Sequence, residues 1–446
     1  MRLPIVCLDQ RLRQYLALFT GCFSQPQYKY FVTILLGLML CQSGRTLSGL
    51  LQVVNSGVSL SGASRFMSEA PWHAEDLAQK WQRQFRQEMT AQVLEEQARS
   101  RCQGKKKRGR PKKTVVTEPA LSLSKGYLIG DDSTMSKRRG KKMEGIGRHY
   151  SGSEKKRVTG HSLVQGLYVL LGRRCPLAPR MYRQRAVCEA EGVTFASKVD
   201  LMAEIISTFE PVAGTITHVL LDSWYTSKRL WKIARERGFL ITSGLRCNRL
   251  LRIEDPEVPN GWRWQRVDEY AAALSQADWQ WVCWPNQNGN RWVYVHVVST
   301  RIKTLYRCQL VIVRGKWDDD EEERTLYWAS SDLSADLPTL VSHIAARWDV
   351  EVLFADTKEL LGLDHYQLMS ATAIVRFWTL VMLAYYFLDQ ERDRYQRLSD
   401  RHLTIGDAWR QVQRTHWQHF IDWIHQRFRF GNQPADLFLE LTGESL

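Results

Sequence analysis

The stretches Tyr127-Leu128-Ile129-Gly130-Asp131-Asp132 and Thr217-His218-Val219-Leu220-Leu221-Asp222 decide the fold class of this chain. Each is a short apolar run that leads into aspartate, a pattern typical of a buried β-strand. Further strands are predicted at residues 161–171 and 239–242. Apolar residues at helical spacing predict helices over 198–209 and 227–237. Strands that alternate with helices predict an α/β core with a mixed sheet.

The region before this core has a helical pattern. Apolar residues between 47 and 54 recur on one helix face, a glycine turn follows, and residues 61–68 form a polar segment that contains Arg65. This outline predicts a helix-turn-helix whose second helix could enter a DNA major groove. The alternative is an ordinary helical hairpin, since most such hairpins bind no DNA.

Residues 246–330 interrupt the strand–helix rhythm. They are rich in tryptophan and contain alternating runs such as Trp292–Val297, which predict antiparallel strands inserted into the core. The acidic run 318–323 could attract a metal ion, but consecutive acids between strands are more typical of an exposed hairpin tip. From residue 335 to the end the pattern is helical again.

The charge balance favours nucleic acid as a partner. The formal net charge is +15, and phosphate neutralisation by such a protein releases counterions. A basic segment, Lys105–Lys113, places Arg108 and Arg110 around a glycine. This segment is either a solvated linker that touches phosphates or an extended arm for a narrow minor groove.

Cysteine usage and apolar runs predict a protein of the cytoplasm. The nine cysteines are dispersed without a C-x-x-C pair, so they indicate reduced thiols rather than a zinc site or a disulfide framework. The apolar runs 31–41 and 377–388 are too short to span a bilayer and fit buried helices. No membrane association is therefore expected.

Acidic side chains at two strand ends and on one helix form the candidate catalytic set. Asp131, or its neighbour Asp132, follows one apolar strand and Asp222 follows another, where reactive groups collect in open α/β sheets. Either residue alone could be a turn or cap residue.

The third element is a segment predicted to be one helix over residues 344–358. At 3.6 residues per turn, Arg347, Glu351 and Lys358 project from nearly one side. Such a row can be a set of surface ion pairs. The apolar residues that flank it place it at a partly buried edge, which favours a functional role.

These motifs resemble the bacterial insertion-sequence DDE transposases of the cut-and-paste group. The matching stretches are Gly130–Thr134 with Lys141–Gly145, Leu221–Tyr225, and Arg347-x3-Glu351-x6-Lys358. In that group a β-strand insertion separates the second aspartate from the glutamate, as it would here. Ile344 stands where the group's signature has tyrosine. The resemblance covers roughly residues 120–365.

The resemblance implies an RNase H-like catalytic core that cuts and rejoins DNA with two Mg²⁺ or Mn²⁺ ions. It assigns the first aspartate, Asp222 and Glu351 as metal ligands, with Asp222 bridging the ions. Asp131 is preferred to Asp132 as the first ligand, because it follows Ile129 by the two-residue step of a strand.

The same resemblance implies a set of DNA contacts. Arg347 and Lys358 would hold phosphates near the scissile bond. A basic cluster would contact the terminal DNA of the element: Lys137, Arg138, Arg139, Lys141 and Lys142. The expected partners are double-stranded DNA, as terminal inverted repeats and as target, and a second copy of the chain.

A chain of 446 residues is expected to contain several regions. The boundaries predicted are 1–104 for a helical DNA-binding domain, 105–120 for a basic linker, 121–245 for the first part of the core, 246–330 for the β-rich insertion, 331–395 for the second part with the glutamate helix, and 396–446 for a helical C-terminal region. Two alternative functions remain: an RNase H-like nuclease without strand transfer, and a domesticated DNA-binding protein without catalysis.

Overall fold

The computed structural model describes residues 3–4, 8–42, 44–103, 123–152, 154–284, 291–315 and 325–442. Arg108, Arg110 and the acidic run 318–323 lie outside the described residues. The helices are α1 Gln10–Ala17, α2 Gln25–Leu40, α3 Leu47–Val53, α4 Leu60–Ser68, α5 Ala74–Gln103, α6 Arg185–Glu191, α7 Lys198–Thr208, α8 Lys228–Glu236, α9 Val267–Ala272, α10 Leu337–Ala346, α11 Asp349–Leu361, α12 Ala371–Ser399, α13 Ile405–Arg429 and α14 Pro434–Thr442.

The strands are β1 Leu3–Pro4, β2 Val54–Asn55, β3 Ser124–Ser136, β4 Gly147–Ser151, β5 Lys156–Leu170, β6 Arg173–Pro176, β7 Arg180–Tyr182, β8 Thr215–Leu221, β9 Leu240–Leu245, β10 Leu250–Glu254, β11 Trp262–Arg266, β12 Gln280–Trp284, β13 Arg291–Arg301, β14 Arg307–Arg314 and β15 Leu326–Ser330. The strands and helices predicted between residues 127 and 242 are therefore present, although β3 continues five residues beyond Asp131 and β5 begins five residues before residue 161.

One large mixed sheet forms the centre of the described structure. Its strand order is β12-β13-β14-β15-β9-β8-β3-β5-β4, and β6 and β7 also pair with β5. The β3–β8 and β8–β9 ladders are parallel, whereas the other ladders are antiparallel. The mixed α/β architecture is thus observed, and it is consistent with an RNase H-like core.

The inserted strands extend this sheet. The predicted antiparallel pairing is observed from β12 to β15, and β15 then pairs with β9, with Tyr327 opposite Leu245. β10 and β11 form a separate antiparallel hairpin. The insertion therefore lengthens the central sheet, because β15 supplies backbone partners to an edge of β9 that would otherwise be unpaired.

The N-terminal region is helical except for one short pairing. Val54 leaves α3 with extended backbone angles, and Val54–Asn55 pairs in parallel with Leu3–Pro4. The prediction of an all-helical region is wrong at this point, because residues at the end of a helix are free to join an extended segment from elsewhere. Within α2, residues 31–40 are all buried, as predicted for this apolar run.

The central helix α12 joins the N-terminal helices to the rest of the chain. It is long and apolar enough to cross a membrane by length and composition alone, but 89% of its apolar window is buried inside the protein. Its Arg376 donates to the carbonyl oxygens of Met67 (2.9 Å) and Ala70 (2.7 Å), just where α4 ends. Helix ends leave carbonyl groups unpaired, so this arginine fixes α4 against α12.

The segment 344–358 is two helices. Around Arg347 the backbone changes to i→i+3 hydrogen bonds: Arg347 N donates to Ile344 O and Glu351 N donates to Trp348 O. Hydrogen bonds of this type tighten the backbone and mark the junction of α10 with α11. The prediction of one continuous helix is therefore wrong, although Arg347 and Glu351 still meet.

A buried ion network connects β6, α11 and α12. The Asp389 carboxylate, which is fully buried, accepts from Arg173 Nε (3.0 Å) and from Arg392 Nη2 (2.9 Å). Arg174 donates its backbone N–H to the same carboxylate and its guanidinium to Asp349 at the start of α11 (2.7 Å). The network therefore ties the first turn of α11 to the sheet.

Candidate active site

Asp131 and Asp222 occupy neighbouring positions on two parallel strands. Gly130 is opposite Leu221 in the β3–β8 ladder, so the next residues along the two strands are the two aspartates. Side chains at equivalent register positions project from the same face of a sheet. A β-carbon at Gly130 would lie 2.4 Å from Met202 Sδ, so glycine lets α7 pack closely beside these acids.

The position of Asp131 within its strand differs from the prediction. Asp131 was expected at the end of a strand, but β3 continues to Ser136 and residues 131–136 pair with β5 alone. Only β8 stops here, at Leu221. The two carboxylates therefore lie where β8 ends beside a longer neighbour, because β5 continues to supply hydrogen-bond partners to β3.

The Asp131 carboxyl group lies in an environment that disfavours its charge. Burial, and after it the charges of Asp132 and Asp222, raise its pKa to about 7, although the Arg347 guanidinium acts in the opposite direction. One oxygen of Asp222 accepts a hydrogen bond from Trp224 N (2.8 Å), which orients that side chain. The site is thus a partly buried group of like charges.

Arg347 connects Asp131 to Glu351. Its Nη1 is 3.5 Å from Asp131 Oδ2, and its Nη2 bonds Glu351 Oε1. The side chain of Arg347 is only 14% exposed, so the ion pairs are shielded from solvent. The α10–α11 junction therefore brings the predicted glutamate next to the predicted aspartates, with the arginine between them.

Asp132 is held by different partners. Its carboxylate accepts from Tyr225 OH (2.8 Å) and pairs with Lys198 Nζ at the start of α7. Asp131 has Arg347 as its charged partner, on the side of Glu351. Because consecutive strand residues project to opposite faces, this geometry supports Asp131 as the residue that faces the glutamate.

Lys358 also faces β3. Its Nζ lies 3.5 Å from Thr134 O, and burial lowers the pKa of its ammonium group. Thr134 is three residues beyond Asp131 on the strand. Lys358 thus contacts β3 two turns of α11 beyond Glu351, whose carboxylate pairs with Arg347.

The basic cluster after β3 is divided by the fold. Lys137 turns inward and donates to Asp364 O (2.5 Å) and Tyr366 O (2.6 Å), and burial lowers the pKa of its ammonium to about 8. The DNA contact predicted for Lys137 is therefore not supported, because its ammonium group donates to two backbone carbonyls and lies over the Tyr366 ring. The other four members are exposed: Arg138, which pairs with Glu154, and Arg139, Lys141 and Lys142.

Arg65 is exposed on α4, the second helix of the predicted helix-turn-helix. The opposite face of α4 buries Ala63, Phe66 and Met67 in the core. Ser61 and Ser64 are exposed with Arg65. The helix is thus anchored by its apolar face and presents a polar face with one cation.

A groove beside Asp222 contains residues that sequence reasoning missed. Trp224 is 59% exposed, and the guanidinium of Arg246 lies over its ring at 5.3 Å. Lys303 and Arg249 line the same groove. The Asp-Ser-Trp motif was the available signal, but Arg246 and Lys303 come from loops whose approach no local pattern reveals.

The group of carboxylates supports a stability prediction for Asp131→Asn. The pKa of Asp131 is about 7 in the folded protein and near 4 in the unfolded chain. The carboxyl group therefore favours the folded state at low pH, and this contribution to the free energy of unfolding is lost as pH rises through about 7. From pH 4 to pH 8 without divalent metal, the variant should gain about 2–4 kcal/mol of unfolding free energy relative to the parent chain. Urea unfolding at both pH values measures this gain. Equal pH dependence of the two proteins would contradict it.

The donor set fits a hard divalent cation. Asp131, Asp222 and Glu351 offer carboxylate oxygens, which Mg²⁺ and Mn²⁺ prefer. A cation would offset the unfavourable charge that raises the pKa of Asp131. In this structure the guanidinium of Arg347 supplies positive charge between Asp131 and Glu351.

Comparisons with known proteins agree with these features. Residues 112–278 match the family model of the DDE superfamily endonucleases, and residues 196–387 match that of the transposase DDE domain. The second match contains both Asp222 and Glu351, and the first contains Asp131 and Asp222.

Two individual proteins are similar to this chain. A probable transposase for insertion sequence element IS701 from Microchaete diplosiphon is 23% identical over 271 residues, which is 60% of this chain and 61% of that protein. The match thus spans about three fifths of the relative's length. A cryo-EM structure of the piggyBac transposase synaptic complex with hairpin DNA covers 70% of this chain and 55% of that chain, at 12% identity and a TM-score of 0.37.

The sequence motifs, the order of the acids along the chain and the family models agree with one another. The two family matches overlap and together cover residues 112–387, from the predicted linker to the middle of α12. On this evidence the chain is similar to the DDE transposases over residues 112–387.

Proposed function

We propose that this protein is a transposase that binds the ends of a DNA element, cleaves them and joins them to target DNA. One observation carries the proposal: Asp131 and Asp222 directly follow the last residue pair of the parallel β3–β8 ladder, and Arg347 links Asp131 to Glu351. These residues come from three distant parts of the chain. An acidic set assembled in this way suits metal-dependent phosphodiester chemistry.

The topology of the sheet supports an RNase H-like catalytic core. β3 lies at its centre, with antiparallel β5 on one side and parallel β8 and then β9 on the other. The acids extend from this centre and from α11. The strands β12–β15 would then be the insertion that separates the second aspartate from the glutamate.

The matches to the DDE family models imply divalent metal ions. We infer that Asp131, Asp222 and Glu351 hold a pair of Mg²⁺ or Mn²⁺ ions. When bound, two such ions polarise the scissile phosphate and stabilise charge on the attacking and leaving oxygens. The raised pKa of Asp131 means that this carboxyl group gives up a proton near neutral pH when it becomes a ligand.

Arg347 and Lys358 would contact the DNA phosphate backbone. Arg347 is paired with two carboxylates of the proposed metal site, so metal binding to those acids frees its guanidinium for a phosphate. Lys358 Nζ lies 3.5 Å from the carbonyl oxygen of Thr134, a long contact for a hydrogen bond. Both cations thus lie beside the acids, where a scissile phosphate would bind.

Exposed basic and aromatic residues would hold the rest of the DNA. We propose that α4 with Arg65 binds duplex DNA. The terminal DNA of the element would be bound by the exposed basic cluster of Arg138, Arg139, Lys141 and Lys142. The helical region 1–104 would then be the DNA-binding domain, with 105–120 as its linker to the core. We also propose a cytoplasmic, nucleoid-associated protein that acts as a homodimer on paired ends.

The groove with Trp224 and Arg246 is expected to hold an unpaired segment of the DNA strand next to the cut. Stacking on an aromatic ring contributes about 1–3 kcal/mol per base, so Trp224→Ala should weaken binding of end DNA with a single-stranded overhang by that amount. Fluorescence anisotropy at fixed salt measures this effect. Trp417→Ala, an exposed tryptophan on α13, is the matched control. Equal affinities for the Trp224 and Trp417 variants would contradict the assignment.

Purified protein with labelled element ends and Mg²⁺ tests the proposed function. The ends are identified as inverted repeats in the genomic DNA that flanks the reading frame. Joined products support a transposase, whereas cleavage without joining would indicate a nuclease. Retarded DNA without any cleavage would indicate a binding protein and would refute the proposal.

A further inference from the structure

A second group of potential metal ligands lies in the core, apart from the carboxylates of the candidate active site. His218 on β8, Asp332 after β15 and His343 on α10 offer ligand atoms that all lie within 4.8 Å of one another. Both histidines are 0% exposed and the aspartate is 6% exposed. Two imidazoles and a carboxylate from three separate elements thus converge on one buried point.

The tautomer of His218 directs a lone pair into this group. Thr242 Oγ1 donates to Ser330 Oγ (2.8 Å), so it must accept from His218 Nε2, which is also at 2.8 Å. With its proton on Nε2, His218 has an unprotonated Nδ1. That Nδ1 is buried and has no hydrogen-bond partner among the described residues.

His343 makes no hydrogen bond through either nitrogen in the described structure. Nδ1 and Nε2 are both buried without a partner, and the ring lies 4.0 Å from that of His218 between centroids. Unpaired buried nitrogens cost free energy, and a bound ligand would remove that cost.

Asp332 is oriented for the same point. Its Oδ1 accepts from Ser334 Oγ (2.8 Å) and Ser334 N (3.2 Å), and its own backbone N–H donates to Ser330 Oγ (3.3 Å). The hydroxyls of Ser330 and Thr242 therefore connect the aspartate to His218. Metal-binding histidines and carboxylates in proteins are held by outer hydrogen bonds of this kind.

We propose that His218, Asp332 and His343 bind a divalent transition metal ion of the zinc type, separate from the ions of the DDE acids. Imidazole and carboxylate ligands suit Zn²⁺, and three protein ligands leave a fourth position for water. His218 would bind through Nδ1. The ligand set differs from the all-oxygen donors that Mg²⁺ prefers, so the two sites would select different ions.

The ion would fasten α10 to β8 close to the catalytic residues. His218 lies on β8, and Asp222 directly follows the end of that strand, four residues after His218. His343 precedes Arg347 by four residues, about one helical turn. A bond between β8 and α10 at this level would fix the distance between Asp222 and the arginine that joins the acids.

Zinc content and Zn²⁺ affinity test the proposal on the full-length protein without an affinity tag. Protein purified without chelator should contain about one zinc per chain by mass spectrometry. After metal removal, Co²⁺ should produce the visible absorption of a low-symmetry nitrogen–oxygen site, and Zn²⁺ should displace it. His343→Gln and His218→Gln are expected to lower Zn²⁺ affinity more than about 100-fold, beyond the loss typical of an outer-shell change.

Three further variants make the test decisive. Thr242→Val keeps the side-chain shape but removes the partner that sets the His218 tautomer, so it should lower affinity about 10- to 100-fold even if a ligand variant fails to fold. His416→Gln changes another buried histidine with an unpaired nitrogen and should bind Zn²⁺ like the parent chain. Glu351→Gln should also retain zinc, which separates this site from the DDE acids. Absence of zinc and of the Co²⁺ spectrum in the parent chain, or unchanged affinity in Thr242→Val, overturns the proposal.

Discussion

Glu351→Gln or Asp222→Asn is expected to reduce DNA cleavage about 10³-fold or more while DNA binding remains measurable. Metal ions stabilise transition-state charge by several kcal/mol, and each 1.36 kcal/mol corresponds to a factor of ten in rate. An amide offers one neutral oxygen in place of a charged carboxylate, so it holds a divalent cation poorly. Single-turnover cleavage of labelled ends at saturating protein measures the effect, and anisotropy with the same DNA measures binding.

Glu359→Gln is the matched control for Glu351→Gln. Glu359 belongs to the same helix, carries the same charge and is exposed. Its replacement should leave the rate of cleavage within about twofold, because surface substitutions of this kind have small effects. Near-normal cleavage by Glu351→Gln or by Asp222→Asn would refute the assignment of the acids.

Asp389→Ala is expected to lower the free energy of unfolding by about 3–5 kcal/mol. The substitution leaves Arg173 and Arg392 buried without their main counter-ion, and uncompensated buried charge is strongly destabilising. Burial lowers the pKa of Arg173, but nearby groups, the charge of Asp389 first among them, together more than offset this effect, so the guanidinium stays charged. Urea unfolding at constant pH measures the loss.

Glu236→Gln serves as the control for this measurement. Glu236 forms an ion pair with Lys232 in which both side chains are more than half exposed, and such pairs contribute little to stability. The variant should therefore unfold at almost the same urea concentration as the parent chain. Equal midpoints for Asp389→Ala and Glu236→Gln would show that the buried network does not stabilise the fold.

Local patterns were sufficient to identify the acids of the candidate site. Asp222 follows an apolar strand, and Glu351 lies four residues after Arg347 in a helical segment. Both patterns depend on residues that lie within a few positions of each other, so they can be recognised in a single sequence. These motifs suggested a resemblance to DDE transposases, and the family models that match this part of the chain agree with it.

Other features of the site depended on pairing between distant segments. The strand end predicted after Ile129 is absent because β5 continues to pair with β3 as far as Ser136. The inward turn of Lys137 depends on carbonyl groups near residue 365. No sequence pattern relates residues that are more than 200 positions apart. The sequence therefore contained no sign that Lys137 differs in exposure from the other cations of the basic cluster.

The buried histidines show the same limit. His218 looks like one polar residue in an apolar strand, and His343 like one in an apolar helix. Neither belongs to a short motif with metal-ligand spacing. Their meeting with Asp332 becomes visible only when α10 packs on β8.

By itself, the sequence determined the alternation of strands and helices and the basic character of the protein, and it predicted a candidate set of catalytic acids in their order along the chain. Those properties follow from hydrophobic periodicity and charge, which act between near neighbours. Only the tertiary structure decided that β15 joins β9, that Arg347 lies between Asp131 and Glu351, and that three buried ligands converge. These outcomes require strand pairing and helix packing between segments far apart in the chain, where burial and hydrogen bonding act together.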